Sequence, residues 1–286
     1  MNRSLSQRIG IVEEKWLGLV RPHISKLFGG TFIPSHDHTH HSRVWNICKN
    51  LLRKMEGFSS VADEDVLEGL LLASWFHDTG MVYDSGELHG ALGKEIFEKF
   101  IADSRVQKPV LYDEVLRVIA LHDSKERSLY RDIAPGKAPG MMGVLSIADD
   151  LDALGTVGIY RYSEIYLKRG IPAVDLGSRI LSNVMRRYNN ILESCAAFPG
   201  LSTPFLEDYR LIEDFFNRYN QLIVIVKEAE KFQWGELGIV NYINTFSVDS
   251  KVRPEDFLFQ PGIASSGARV KTYFKRLHDE MGRKAL

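Results

Sequence analysis

The stretch LEGLLLASWFHDTG, residues 67–80, decides how the chain is read. It is an apolar run of helical length that ends on His77-Asp78, with Gly80 just beyond. An imidazole and a carboxylate at the end of a buried-looking helix need partners, because charged groups go inside only when paired or bound to a metal. The dipeptide alone says little. Its neighbours in sequence say more. Upstream is SHDHTHHSRVW, with His36, His38, His40 and His41. Downstream are LHGALG with His89, ALHDS with His122, and LSIADDLDALG with Asp149, Asp150 and Asp152. Of nine histidines only His23 and His278 fall outside residues 36–122.

Working outward, the helical period of 3.6 recurs along the chain. Residues 5–28 carry Ile9, Val12, Trp16 and Leu19 at helical spacing, with an interruption expected near Pro22. Ser35 or Asp37 is suited to cap a helix running to about Met55, and Asp63 to cap the one that ends at His77-Asp78. Further helices are expected over about 87–103, 110–123, the LSIADDLDAL segment, and 160–169. Others are expected over about 175–196, 205–232, 235–246 and 266–282. Gly57-Phe58-Ser59-Ser60 reads as a turn, SKERSLYRDIAPGKAPG as a surface loop, and SCAAFPGLSTP as a break. No alternating strand pattern stands out, and QLIVIV fits the middle of a helix. The expected class is all-α.

A chain of 286 residues with 44% hydrophobic and 26% charged residues is an ordinary globular composition. A net charge of −1 gives no basic footprint for nucleic acid. Cys48 and Cys195 lie far apart within helical patterns, which favours reduced core thiols and a cytoplasmic setting. The N-terminal residues lack the apolar core of a secretory signal, and LLLASWF and LIVIV are too short to span a bilayer.

Mixed imidazole and carboxylate donors favour Mn, Fe, Co, Ni or Zn over calcium. In a helical protein the ligands must converge from several helices. His36 and His40 would share one helix face. His41 falls in register with Val44 and Cys48, so it also reads as a core histidine, and His38 reads as solvated. Asp149 lies in the apolar VLSIAD run, where an unpaired carboxylate would be costly. Asp152 could cap, or pair with Arg161.

The order His40, His77-Asp78, Asp149 resembles the HD-domain superfamily of metal-dependent phosphohydrolases, whose ligands come as H…HD…D. HDHTHHSRV resembles its first motif and picks His40, three residues ahead of Arg43-Val44. FHDTG resembles the second motif. ADDLDALGTVGIYR resembles the closing one and picks Asp149, with Asp150 a departure where many relatives carry a basic residue. The likeness covers about residues 35–170. It implies an HD-domain-like helical bundle with additional C-terminal helices. Residues 1–172 would form the metal-binding domain, and 173–286 a helical extension packed on it.

The same resemblance implies a divalent transition metal and a hydrolase acting on a small-molecule phosphate ester, a nucleotide leading. Asp78 would be catalytic, binding the metal and orienting the water. LHGALG and IALHDS are similar to the motifs that add two histidines in the subset holding a second ion, so His89 and His122 would serve it. The alternative is that His89 caps a helix and His122 contacts substrate. Arg43, Lys94, Lys125 and Arg161 are the candidate phosphate-binding cations, each also readable as an ordinary surface residue. A dinuclear iron oxygenase and a non-catalytic metal-stabilised binding module are the rival functions.

Overall fold

The computed structural model describes residues 3–55, 63–123, 140–195, 203–226 and 228–285. The turn expected at 57–60, nearly all of the loop expected at 124–140, and most of the break at 194–204 lie outside these residues. Among the described residues the protein is all-α, with eleven α-helices and no strand. It divides into two compact units, Met1–Asp149 with Ser194–Leu201, and Asp150–Glu193 with Ser202–Leu286.

In the first unit, α1 (Leu5–Phe28) buries Leu5, Ile9, Val12, Trp16, Val20, Ile24 and Phe28 along one stripe. Contrary to expectation it runs unbroken through Pro22. A helix-interior proline costs about 3 kcal/mol. Val20, Ile24 and Phe28 lie on both sides of it, and each such side chain contributes about 1.5–3 kcal/mol when fully buried. The stripe outweighs the proline.

Helix α2 (His38–Lys54) begins at Asp37, whose side chain accepts from the Thr39 amide at 2.9 Å. Helix α3 (Glu64–Phe76) is buried on every side from Leu67 to Phe76. Hydrophobicity all round marks a helix enclosed by others, and α3 is met by α1, α2, α4 (His89–Ser104) and α5 (Tyr112–Leu121). Its one interior charge, Glu68, is answered by Lys15 and by the Trp16 indole N–H at 2.5 Å. Ser74 returns its hydroxyl to the Leu70 carbonyl at 2.7 Å and meets Cys48 of α2 at 3.6 Å. Burial pushes the Cys48 thiol up to about 12.

Helix α6 (Met141–Asp152) carries Asp149 and continues into the second unit. There α7 (Gly155–Lys168) packs against α9 (Thr203–Ile225), α10 (Gly235–Ile243) and α11 (Ala268–Ala285). Tyr160, Phe246, Phe257 and Phe274 form a linked aromatic core. QLIVIV reaches the C-terminal end of α9 rather than a helix middle. A π-helical turn, Asn244–Asp249, places Ser247 against the buried Glu164 at 2.5 Å. Helix α8 (Ala173–Ser194) supplies Arg187, which pairs with Asp150 at 2.7 Å.

Candidate metal centre

His77 caps the C-terminus of α3, and His122 caps that of α5. The last carbonyls of a helix have no partner within it. A histidine placed there can supply one. His77 Nδ1 donates to the Ser74 carbonyl at 2.9 Å, and His122 Nδ1 to the Ile119 carbonyl at 2.9 Å. His89, at the start of α4, does the same to the Gly86 carbonyl at 2.5 Å. All three bonds reach back three residues. A carbonyl only accepts, so each Nδ1 carries the proton and each Nε2 of the neutral ring presents its lone pair.

Those lone pairs converge. His40 Nε2 lies 3.1 Å from His77 Nε2, 3.3 Å from Asp78 Oδ2 and 3.6 Å from Asp149 Oδ1. His77 Nε2 is 3.4 Å from Asp78 Oδ2. On its other side, Asp78 Oδ1 lies 3.0 Å from His122 Nε2 and 3.5 Å from His89 Nε2, which are 3.3 Å apart. Two groups able to hold a metal ion result: His40, His77, Asp78 and Asp149, and Asp78, His89 and His122. Asp78 belongs to both, one oxygen to each.

The spacing fits the role. Donors about 2.1 Å from a common ion lie roughly 3.0–3.4 Å apart along the edges of an octahedron or tetrahedron. Charge points the same way. With their Nδ1 protons committed to carbonyls, neutral His89 and His122 would aim lone pairs at each other across 3.3 Å. The arrangement calls for a cation, either an added proton on one ring or a metal ion shared by both.

The electrostatics describe that competition. Burial favours neutral His122, but the hydrogen bond and charge of Asp78 overrule it and raise its pKa to about 9. Burial likewise opposes ionised Asp78, but the surrounding His77, His122 and His40 hold its carboxyl well below the usual range. Burial lowers the pKa of His77. An ion bound among these donors would replace the proton on a ring rather than fill an indifferent hole.

His41 occupies the core register: it is fully buried, ringed by Phe28, Trp75, His40 and His77, with neither ring nitrogen hydrogen-bonded. Burial drives its pKa well below the ordinary value. His36 precedes α2 instead of sharing its face with His40, yet its ring centroid still lies 5.6 Å from that of His40, and its Nδ1 meets Ser35 Oγ at 2.7 Å. His38 is partly exposed beside Asp37.

The described candidate phosphate-binding cations sit on three different helices. Arg43 is buried on α2 and donates to Thr39 Oγ1 at 3.3 Å. Lys94 is half-exposed on α4. Arg161 is buried in the second unit and donates to Asp152 at 3.2 Å. Lys125 lies outside the described residues. Sequence reasoning did not anticipate Arg187 as the partner of Asp150, since nothing local to α8 signals it.

No family model, no curated protein and no solved structure matches the chain. The reading of the centre therefore rests on its own geometry.

Proposed function

We propose that this protein is a metal-dependent phosphohydrolase of the HD type, acting on a small-molecule phosphate ester, with nucleotides the leading substrate class. The observation that carries this reading is the shared Asp78 carboxylate, which faces His40 and His77 with one oxygen and His89 and His122 with the other. Imidazole and carboxylate donors together suit a divalent transition ion, Mn, Fe, Co, Ni or Zn. Such an ion, when bound, lowers the pKa of a coordinated water and polarises a phosphoryl oxygen.

The chain's own residues do the rest. Three i−3 carbonyls fix the tautomers of His77, His89 and His122, so their Nε2 atoms need no reorganisation to act as ligands. Asp78 stays ionised and can accept a proton-side hydrogen bond from the attacking water, which orients it toward phosphorus. Asp149 completes the group at His40. The low exposure of all six side chains keeps bulk water from the donors and strengthens every interaction among them. Arg43, Lys125 and Lys94 follow His40, His122 and His89 by three, three and five residues and are the nearest candidates in sequence to meet substrate charge, with Arg161 twelve residues beyond Asp149. No described helix is long and apolar enough to cross a membrane, and buried unpaired Cys48 and Cys195 support a cytoplasmic setting.

The test is metal analysis of protein purified without chelator, then phosphate release from a panel of nucleotides and other phosphate esters. Release that requires the ion and vanishes in Asp78→Ala is expected. An ion-loaded protein that consumes oxygen on reduction and releases no phosphate would establish the oxygenase reading instead. Ion binding with neither activity would leave the metal-stabilised binding module.

A further inference from the structure

Three glycines sit where the segments bearing the second group touch. A Cβ on Gly80 would lie 2.0 Å from the His89 carbonyl oxygen and 2.8 Å from its Cα. One on Gly90 would lie 2.6 Å from the Ala120 carbonyl oxygen and 3.3 Å from that of Ile119. One on Gly93 would lie 3.0 Å and 3.1 Å from the carbonyl oxygens of Phe76 and His77. These neighbours are backbone and cannot rotate aside.

Each contact joins two of the segments that bear the ligands. Gly80 follows Asp78 by two residues and meets His89. Gly90 adjoins His89 and meets the end of α5, including the Ile119 carbonyl that orients His122. Gly93, one turn on, meets the segment of His77. Apart from the Ile119 Cγ2 methyl, 3.2 Å from the Gly93 position, the nearest atoms of this triangle are all main chain. The nearest atoms to these glycines include none from α2 or α6, which carry His40 and Asp149.

We infer that Gly90 is a positioning residue that sets the spacing of His89 and His122, so that the α4–α5 contact governs occupancy of this group separately from the one at His40, His77 and Asp149, while Gly80 and Gly93, which meet or adjoin the segment carrying His77 and Asp78, bear on both groups. The inference rests on the metal-binding reading of both groups. Adding a methyl at residue 90 forces the α4 and α5 backbones apart by roughly half an ångström or more, which is the tolerance within which a binding constellation must be held. The His89 and His122 nitrogens would part, and the carbonyl behind His122 would move with them.

The probe is cobalt(II), titrated into chelator-stripped protein and followed by visible absorption and by ions retained per chain. Wild type is expected to take two. Gly90→Ala is expected to keep the first ion and lose the second, or bind it roughly 10–100-fold more weakly, the usual effect of disturbing groups that orient a ligand. Gly93→Ala should weaken the second ion by less. Gly18→Ala, in open space on α1, should change neither. Combining Gly90→Ala with His122→Ala should cost no further ion.

A folded Gly90→Ala protein that binds both ions as wild type does would overturn the inference. So would equal weakening of both. If Gly90→Ala fails to fold, Gly93→Ala decides by the second ion alone, since its contact with the His77 carbonyl also touches the first group, and an unchanged second affinity counts against the inference. Wild type taking fewer than two ions would overturn the two-group reading itself, a failure separate from that of the glycines.

Discussion

Asp78 faces His122 across 3.0 Å while its other oxygen lies 3.3 Å from His40, so one carboxylate is common to both halves of the centre. Removing it should be unlike removing any single histidine. Asp78→Ala is expected to release both ions and lower turnover on the order of a thousandfold or more, the scale seen when a group stabilising the transition state is lost. Metal content and phosphate release on the purified variant check this. Wild-type turnover with unchanged metal would end the mechanism.

The histidines should separate the two groups. His40→Ala is expected to lose the ion shared with Asp149 and keep the one at His122, whereas His89→Ala should do the reverse. If His122 only touches substrate, its replacement by Ala should leave metal content intact and move KM or kcat alone. Ion counts per chain beside steady-state kinetics distinguish these results.

Chelation should lower the melting temperature. A ligand that binds only the folded state stabilises it by about 2.7 kcal/mol at a free concentration of a hundred times Kd. Stripping with a chelator should forfeit that stabilisation, and readdition should restore it in wild type. In Asp78→Ala neither step should have an effect, as thermal melts would show.

Acid should weaken the fold through histidines that are held neutral. The pKa of His41 lies well below its ordinary value, with burial the chief cause and His77, His40 and His38 adding to it, while Asp78 pulls the other way. Burial also lowers that of His23, against the pull of Asp103. A depressed pKa means that the unfolded chain binds the proton more readily. Stability from these groups is full above the ordinary histidine pKa of about 6.5 and declines as pH falls below it. Urea melts of metal-free protein should show that decline, and His41→Leu should reduce its slope.

Much of the helix plan was legible because apolar residues recur at helical spacing, as along α1 and α3. The ligand candidates were legible because histidines and aspartates stand at the ends of apolar runs. Pro22 misled, since its local cost is visible in sequence but the buried stripe spanning it is a tertiary matter. The backbone contacts of Gly80 and Gly93 were not legible either. A glycine in an apolar run looks the same whether it faces a carbonyl at 3 Å or open space, as Gly18 does. The pairing of Asp152 with Arg161 was one of two readings open in sequence, and the structure selects it. Arg187 joins Asp150 over 37 residues, a distance at which no local pattern speaks.

Cys48 sits on α2 against Ser74 of α3, the two helices that present His40 and His77. Its thiol, pushed up to about 12, is not a nucleophile while the helices stay together. It is therefore a clock. Alkylation of Cys48 can proceed only as fast as α2 and α3 part, so its rate times the opening of the surface that carries His40 and His77. Saturating metal should slow that labelling in proportion to the population of opened molecules it suppresses.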